Sequence, residues 1–360
     1  MAEARPISRW RLELEVLSPL HVGAGGPPLV HEYDYAAGRE KVWVLDLDRV
    51  LDHVPEERLL GQIDAPPARL VPREVLPDCV RYEMLLRGGE KPEEIIPCVR
   101  DAADRPYLPG SSLKGALRTA LAWSLAGQES GAALAQEAAP NPKYAAAPIE
   151  RRLFGPNPNQ DLLRALRVAD ASPHAAAEAE VSVAAVYSLR GTRLEPKGAG
   201  HRWWVETLPT GARLSADVSL EEYLFGPRAQ ALSFNQRRAV LAELPRRAAA
   251  FAAALAAHEA RFYAAAGQPA LAAFARQLQQ RAEQAAPDEG LLQIGWGAGW
   301  TAKTLGLLLE ADPRFPDLVR RYSLDRGRGS SVFPKTRRLV ERGNTPEAPL
   351  GWTHFRLLPR

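Results

Sequence analysis

The chain reads as an α+β protein built on antiparallel sheets, and three features of the sequence predict it. Strand-like segments at 164–169, 180–189, 202–208 and 213–220 follow one another too closely for the long crossovers that parallel strands require. The period then changes, and residues 236–286 form an Ala-rich stretch with helical spacing. Strand patterns also open and close the chain, so both halves mix the two kinds of element.

The elements follow in order. Residues 9–17 alternate apolar and charged side chains, the pattern of a half-buried strand. Ser18-Pro19 ends it, and a loop with Gly23, Gly25 and Gly26 follows. A short strand is expected at 42–46, irregular structure through the proline-rich 55–77, and a strand over 76–86. The turn ending in Pro109-Gly110 leads into a helix at 111–125, where Leu113, Leu117 and Leu121 recur every four residues. Prolines cluster between 140 and 158, which predicts two domains, 1–145 and 146–360. The second carries the helical segment 236–286, split at Gly267 and Pro269. A strand at 291–294, a helix from Thr301 and a last strand at 352–358 complete the chain.

Composition excludes several classes. Over 360 residues, 46 Lys+Arg oppose 43 Asp+Glu, a net +3 that does not by itself announce a nucleic-acid protein. With 46% hydrophobic and 25% charged residues the chain is globular, not disordered. No run of eighteen apolar residues is present, so no membrane span or membrane partner is expected. Cys79 and Cys98 are too few for a disulfide framework or a cysteine zinc site, and with no signal-peptide pattern a cytoplasmic protein is expected.

Four motifs invite a chemical reading. In Gly110-Ser111-Ser112-Leu113-Lys114-Gly115-Ala116-Leu117-Arg118, Ser111 or Ser112 is placed to cap the helix. Lys114 and Arg118 then share one face beside a helix N-terminus, an arrangement suited to phosphate. The plain alternative is a capped helix with two solvated cations. Gly295-Trp296-Gly297-Ala298-Gly299-Trp300 is neither a dinucleotide fingerprint nor a P-loop. It offers backbone for close approach, two tryptophans that suit base stacking, and Lys303 nearby; both rings in the core is the alternative. Residues 320–342 hold eight cations, Arg326, Arg328, Lys335, Arg337 and Arg338 among them, against Asp325 and Glu341. Their net +6, interleaved with Gly327, Gly329, Ser330 and Ser331, resembles a basic loop, either solvated or phosphate-binding. Last, His21 sits at the lip of the first glycine loop. His258 reads as a packed core histidine, and His174 has no arguable partner. No catalytic set, metal-ligand cluster or cofactor motif stands out.

Together these motifs resemble the RAMP family of CRISPR proteins. The likeness rests on the opening strand with Ser18-Pro19-Leu20-His21-Val22-Gly23-Ala24-Gly25, on Tyr107 through Leu121, on Leu153-Phe154-Gly155 with Leu166–Asp170, and on the late glycine-rich loop. Within the family the likeness is to the fifth-subunit branch of type III-A (Csm) effector complexes, for its length and for Glu32-Tyr33-Asp34-Tyr35 leading to Val42–Asp46. The resemblance implies two ferredoxin-like (RRM-like) domains and a non-catalytic subunit that caps the 3′ side of the CRISPR RNA (crRNA) and assists its maturation. Its implied partners are crRNA and other Csm subunits, especially the neighbouring RAMP backbone subunit, with target RNA left open. On this reading the RNA meets His21, Gly23, Gly25, Ser111, Ser112, Lys114, Arg118, Gly295, Trp296, Gly297, Gly299, Trp300, Lys303 and the 326–338 cations. Family members that cut target RNA carry their aspartate in a loop that this chain lacks. Asp34 lies instead in a short connection and reads as a turn former. A ribonuclease using His21 or Asp34 is the alternative.

Overall fold

Leu12, Leu14 and Val16 alternate with Arg11, Glu13 and Glu15, and this alternation places the strand Ser8–Val16 with one face on a core. It pairs antiparallel with Arg213–Leu220 on one side and Trp352–Pro359 on the other, so the first and last strands of the chain lie side by side. In that register Leu14 stands between Leu214 and Phe355. Leu166–Val168 and Ser172–Pro173 flank the Arg213–Leu220 strand, and Glu289–Gln293 forms the opposite edge. This first sheet takes strands from both sides of the 145/146 boundary. Leu113, Leu117 and Leu121 of the Gly110–Ala126 helix and Leu255 of the Leu244–Ala265 helix share one core with Leu12 and Leu14.

The computed structural model describes residues 6–62, 64–87, 90–173, 179–329 and 332–360; His174, Ser330 and Ser331 lie outside the described residues.

The second sheet is organised around Glu180–Arg190, which pairs antiparallel with Arg202–Thr207 and with Thr336–Arg342. Val80–Leu86, Lys41–Leu45 and Tyr35–Ala37 extend it one way, Glu94–Ile96 and Leu29–Val30 the other. Contrary to an all-antiparallel expectation, two contacts are parallel: Leu85–Leu86 beside Glu180–Val181, and Ile95–Ile96 beside Trp204–Val205. Long connections separate those partners, so the chain has room to return in the same direction.

Gly267, at φ +69°, and Pro269 divide the helical segment into Leu244–Ala265 and Pro269–Glu283, as the sequence predicts. The pair buries Tyr263, Leu271 and Ala275 against Tyr187 and Leu339 of the second sheet. The proline-rich 55–77 stretch is more ordered than expected. It forms helices Glu56–Gly61 and Pro67–Leu70, whose cap positions are Pro55 and Pro66. A missing N–H costs nothing at a helix start, so proline there favours the helix. The basic 320–342 segment is not one loop: it runs from the Phe315–Arg321 helix through turns into the Thr336–Arg342 strand. Among the described residues no helix is long and apolar enough to cross a membrane.

Candidate nucleic-acid interface

The Gly110–Ala126 helix begins differently from the expected serine cap. Pro109 occupies the cap position and Gly110 is the first helical residue, so neither Ser111 nor Ser112 caps it. The cause is close packing. A Cβ on Gly110 would stand 2.3 Å from the Val168 carbonyl oxygen, so only glycine lets this end press onto the strand. Asp170 Oδ1 then accepts the Gly110 N–H at 2.7 Å, and a carboxylate of the protein itself sits at the helix N-terminus.

Lys114 and Arg118 do share one face, but they point into the protein. Lys114 donates to the Leu166 carbonyl at 2.7 Å, and burial holds its ammonium below the ordinary value. Arg118 reaches Asp161 at 2.8 Å and Glu150 at 3.0 Å while lying 4.0 Å above the Phe154 ring. Both cations therefore pin the 150–166 segment to the helix. Replacing both by alanine is expected to cost about 1–3 kcal/mol of stability, because the buried Leu166 carbonyl and the largely buried Asp161 carboxylate lose their donors. A thermal melt matching that of the unsubstituted chain would contradict this.

The two glycine loops, far apart in sequence, meet. Trp296 N–H donates to the His21 carbonyl at 2.9 Å. Gly295, at φ +77°, would place a Cβ 2.2 Å from that same oxygen, and one on Gly297 would lie 2.5 Å from the Leu350 carbonyl. These two glycines serve contact between segments of the protein. A Cβ on Gly25 or Gly299 would meet only open space, and both face outward; Gly23 is exposed too, but a Cβ there would stand 3.0 Å from the His21 ring.

Trp296 stands edge-on to His21 (5.9 Å, 78°) and to Trp203 (5.4 Å, 85°). Arg338 stacks above it at 4.3 Å and donates to its carbonyl at 2.7 Å. Trp300 packs on Phe315 and Phe333 at 5.7 and 5.1 Å. Both tryptophans are thus anchored in protein contacts, and neither is a free stacking platform.

Below the loops lies a polar network that sequence reasoning missed. His21 donates from Nδ1 to the Glu206 carbonyl at 2.7 Å, and burial lowers its pKa. The Glu206 carboxylate is fully buried, accepts the Cys98 N–H at 2.9 Å and pairs with Arg100. Burial raises the Glu206 carboxyl above its ordinary range despite that cation. The Arg100 guanidinium lies 3.6 Å from the Tyr82 ring centre. Nothing in the spacing of Trp203-Trp204-Val205-Glu206 marks the glutamate as inward, because three successive residues of that strand are buried.

The Thr336–Arg342 strand sends neighbouring arginines to opposite faces. Arg337 turns to the helix pair, 2.6 Å from Glu259 and 3.8 Å over Phe262, so it is a structural residue and not a loop cation. Arg338 turns to Trp296. Elsewhere in the basic segment Arg320 pairs with Asp317 and Arg342 with Glu347. Among the described residues, Lys303, Arg326, Arg328, Lys335 and Arg338 have no carboxylate partner within 4.0 Å. Asp34 behaves as a turn former, its Oδ2 accepting the Val30 N–H at 2.7 Å.

A model described as the RAMP superfamily matches residues 13–301. No curated protein matches the sequence. The fold is shared with a chain in the cryo-EM structure of a Csm–crRNA–target RNA ternary complex of a type III-A CRISPR-Cas system. That chain is 22% identical, with a TM-score of 0.64, covering 98% of this chain and 100% of the other. It is shared also with the crystal structure of T. onnurineus Csm5, at 20% identity and a TM-score of 0.62, covering 95% and 99%. The landmarks that the structure gathers, from the end of the strand before His21 to the loop at Gly295, fall within the matched span, and the chain belongs to the RAMP superfamily.

Proposed function

We propose that the chain is a non-catalytic RNA-binding subunit of a type III-A Csm interference complex. It caps the 3′ side of the crRNA and assists its maturation. One observation carries the reading: both glycine loops converge on a surface whose cations, Lys303 and Arg338, have no carboxylate partner among the described residues. Such cations and outward-facing loop amides suit phosphates, which carry no sequence information, so binding is sequence-independent. Membership of the RAMP superfamily supports this, as does a chain-length likeness to a component of a crRNA-containing complex.

On this reading crRNA runs past Gly23, Gly25, Gly299, Lys303 and Arg338, with Arg326, Arg328 and Lys335 giving more diffuse attraction. His21, Gly295, Trp296 and Gly297 hold the loops in place. Ser111, Ser112, Lys114 and Arg118 support the scaffold. The partners are crRNA, other Csm subunits, chiefly the adjoining RAMP backbone subunit, and target RNA.

The test is co-purification from co-expressed Csm subunits and a CRISPR array. RNA of discrete length travelling with the chain and its partner subunits is expected. Incubation of the purified chain with labelled crRNA precursor, with and without Mg²⁺, is expected to leave the precursor whole. Cleavage lost on His21→Ala or Asp34→Ala would replace this reading with a ribonuclease.

A further inference from the structure

A half-enclosed cavity of 340 Å³ opens between the two helical insertions, one following the Gly110–Ala126 helix and one following the late glycine loop. Its size falls in the range of small-ligand sites, about 300–1,000 Å³. The wall is mostly apolar and includes Leu134, Phe154, Leu309 and Trp300, with Thr119, Thr304 and Tyr322 among its polar members. The cations at its rim are unevenly engaged. Arg118 is held by Glu150 and Asp161, and Glu150 is the one carboxylate among the lining residues. Lys303 has no carboxylate partner among the described residues, and the exposed Lys143 has only a cation–π contact, 5.4 Å from the Tyr144 ring centre. Partial burial and then the Arg338 charge hold the Lys303 ammonium below its ordinary value. That cation is short of an anion.

An apolar recess beside uncompensated cations suits a ligand that is flat and apolar at one end and anionic at the other. We propose that the cavity seats one unpaired nucleobase of the bound RNA, its phosphate held at Lys303. The inference rests on the RNA-binding reading and deepens it, because Lys303 belongs to the same loop segment that faces the proposed RNA path. Most of the wall is apolar, so burial rather than a hydrogen-bonded edge holds the base, and any base is accepted. An acidic protein segment with an apolar anchor would meet the same rim. Continuity with the glycine loops favours RNA.

The test uses the full-length chain and single-stranded RNAs carrying 2-aminopurine at successive positions. At one position its emission is expected to rise several-fold, as the base leaves its stacked neighbours for a mostly aliphatic wall. Ala138→Phe and Ala146→Phe, which fill the cavity from two places in its wall, are expected to abolish that response and weaken retention about tenfold, the effect of one base no longer buried. Lys303→Gln should weaken retention and reduce the salt slope by about one. Thermal melts identify any variant that fails to fold, and the three substitutions act independently. RNA retained with no responsive position, or a response that survives in a folded cavity-filled variant, overturns the nucleobase site and leaves the RNA-binding reading standing. No retention by the unsubstituted chain at low salt overturns both. A benzophenone side chain at position 138 that crosslinks only to protein in the co-purified complex assigns the cavity to a protein partner and overturns the inference.

Discussion

Arg337→Met is expected to lower stability by about 3 kcal/mol, the low end for breaking a buried ion pair, because it leaves the buried Glu259 carboxylate with His258 as its charged partner. The same change one residue later, Arg338→Met, should cost about 1 kcal/mol, the scale of a partly exposed cation–π contact. Geometry decides the contrast. The Arg337 side chain is 10% exposed, 2.6 Å from a glutamate that is itself 8% exposed. Its Nε donates to Glu259, and a donor left to that carboxylate after substitution is His258 at 3.2 Å. Arg338 has no carboxylate to strand; its partners are the Trp296 ring and carbonyl. RNA retention should show the reverse order. Arg338→Met should reduce the salt slope by about one contact, whereas Arg337→Met, where still folded, should not. Urea unfolding and a salt titration of RNA binding measure the two effects. Equal destabilisation by both substitutions would mean that the two arginines do not divide between faces.

The second large effect is a loss of stability in alkali. His258 lies between Glu259, at 3.2 Å, and Glu310, at 2.7 Å. Burial alone would lower its pKa, but hydrogen bonds to both carboxylates and their charges outweigh it and raise the value to about 9. Arg337 and Tyr263 also face this cluster. A group whose pKa rises on folding stabilises most below its unfolded value. The contribution is therefore full below about pH 6.5 and is lost as pH climbs through about 9. The loss is on the order of 3 kcal/mol, at about 1.4 kcal/mol per unit of pKa. His258→Gln should flatten the stability profile between those limits and lower the plateau beneath them. Urea midpoints taken at half-unit steps of pH would show it, and a substituted chain with the same slope as the original would rule out His258 as the source.

His258 also shows where sequence reading stops. Its position on a helix marks it as packed, which it is, but the two carboxylates that hold its ring are not legible there. Glu310 is 52 residues away in sequence, and no local pattern links the two. The helix at 110–126 was legible almost to the residue, because leucines at every fourth position leave one solution for its buried face. The role of its basic residues was not. A four-residue spacing shows that Lys114 and Arg118 share a face but not what faces them. The Leu166 carbonyl and Asp161 come from a segment brought back by tertiary packing.

The sequence by itself determined the type of the strongly periodic elements, the split of the helical segment at Gly267 and Pro269, and the order of landmarks that marks the family. These depend on periodicity, backbone freedom and local sterics, which act within a few residues. Only the tertiary structure decided which cations are available. The +6 of the 320–342 segment divides, strand residue by strand residue, between a buried ion pair and the surface beside Trp296. The same holds for the glycines: Gly295 and Gly297 fit loop to loop, and Gly25 and Gly299 face open space. Charge is counted along a chain, but whether it is neutralised depends on distances between segments, and the fold alone sets those distances.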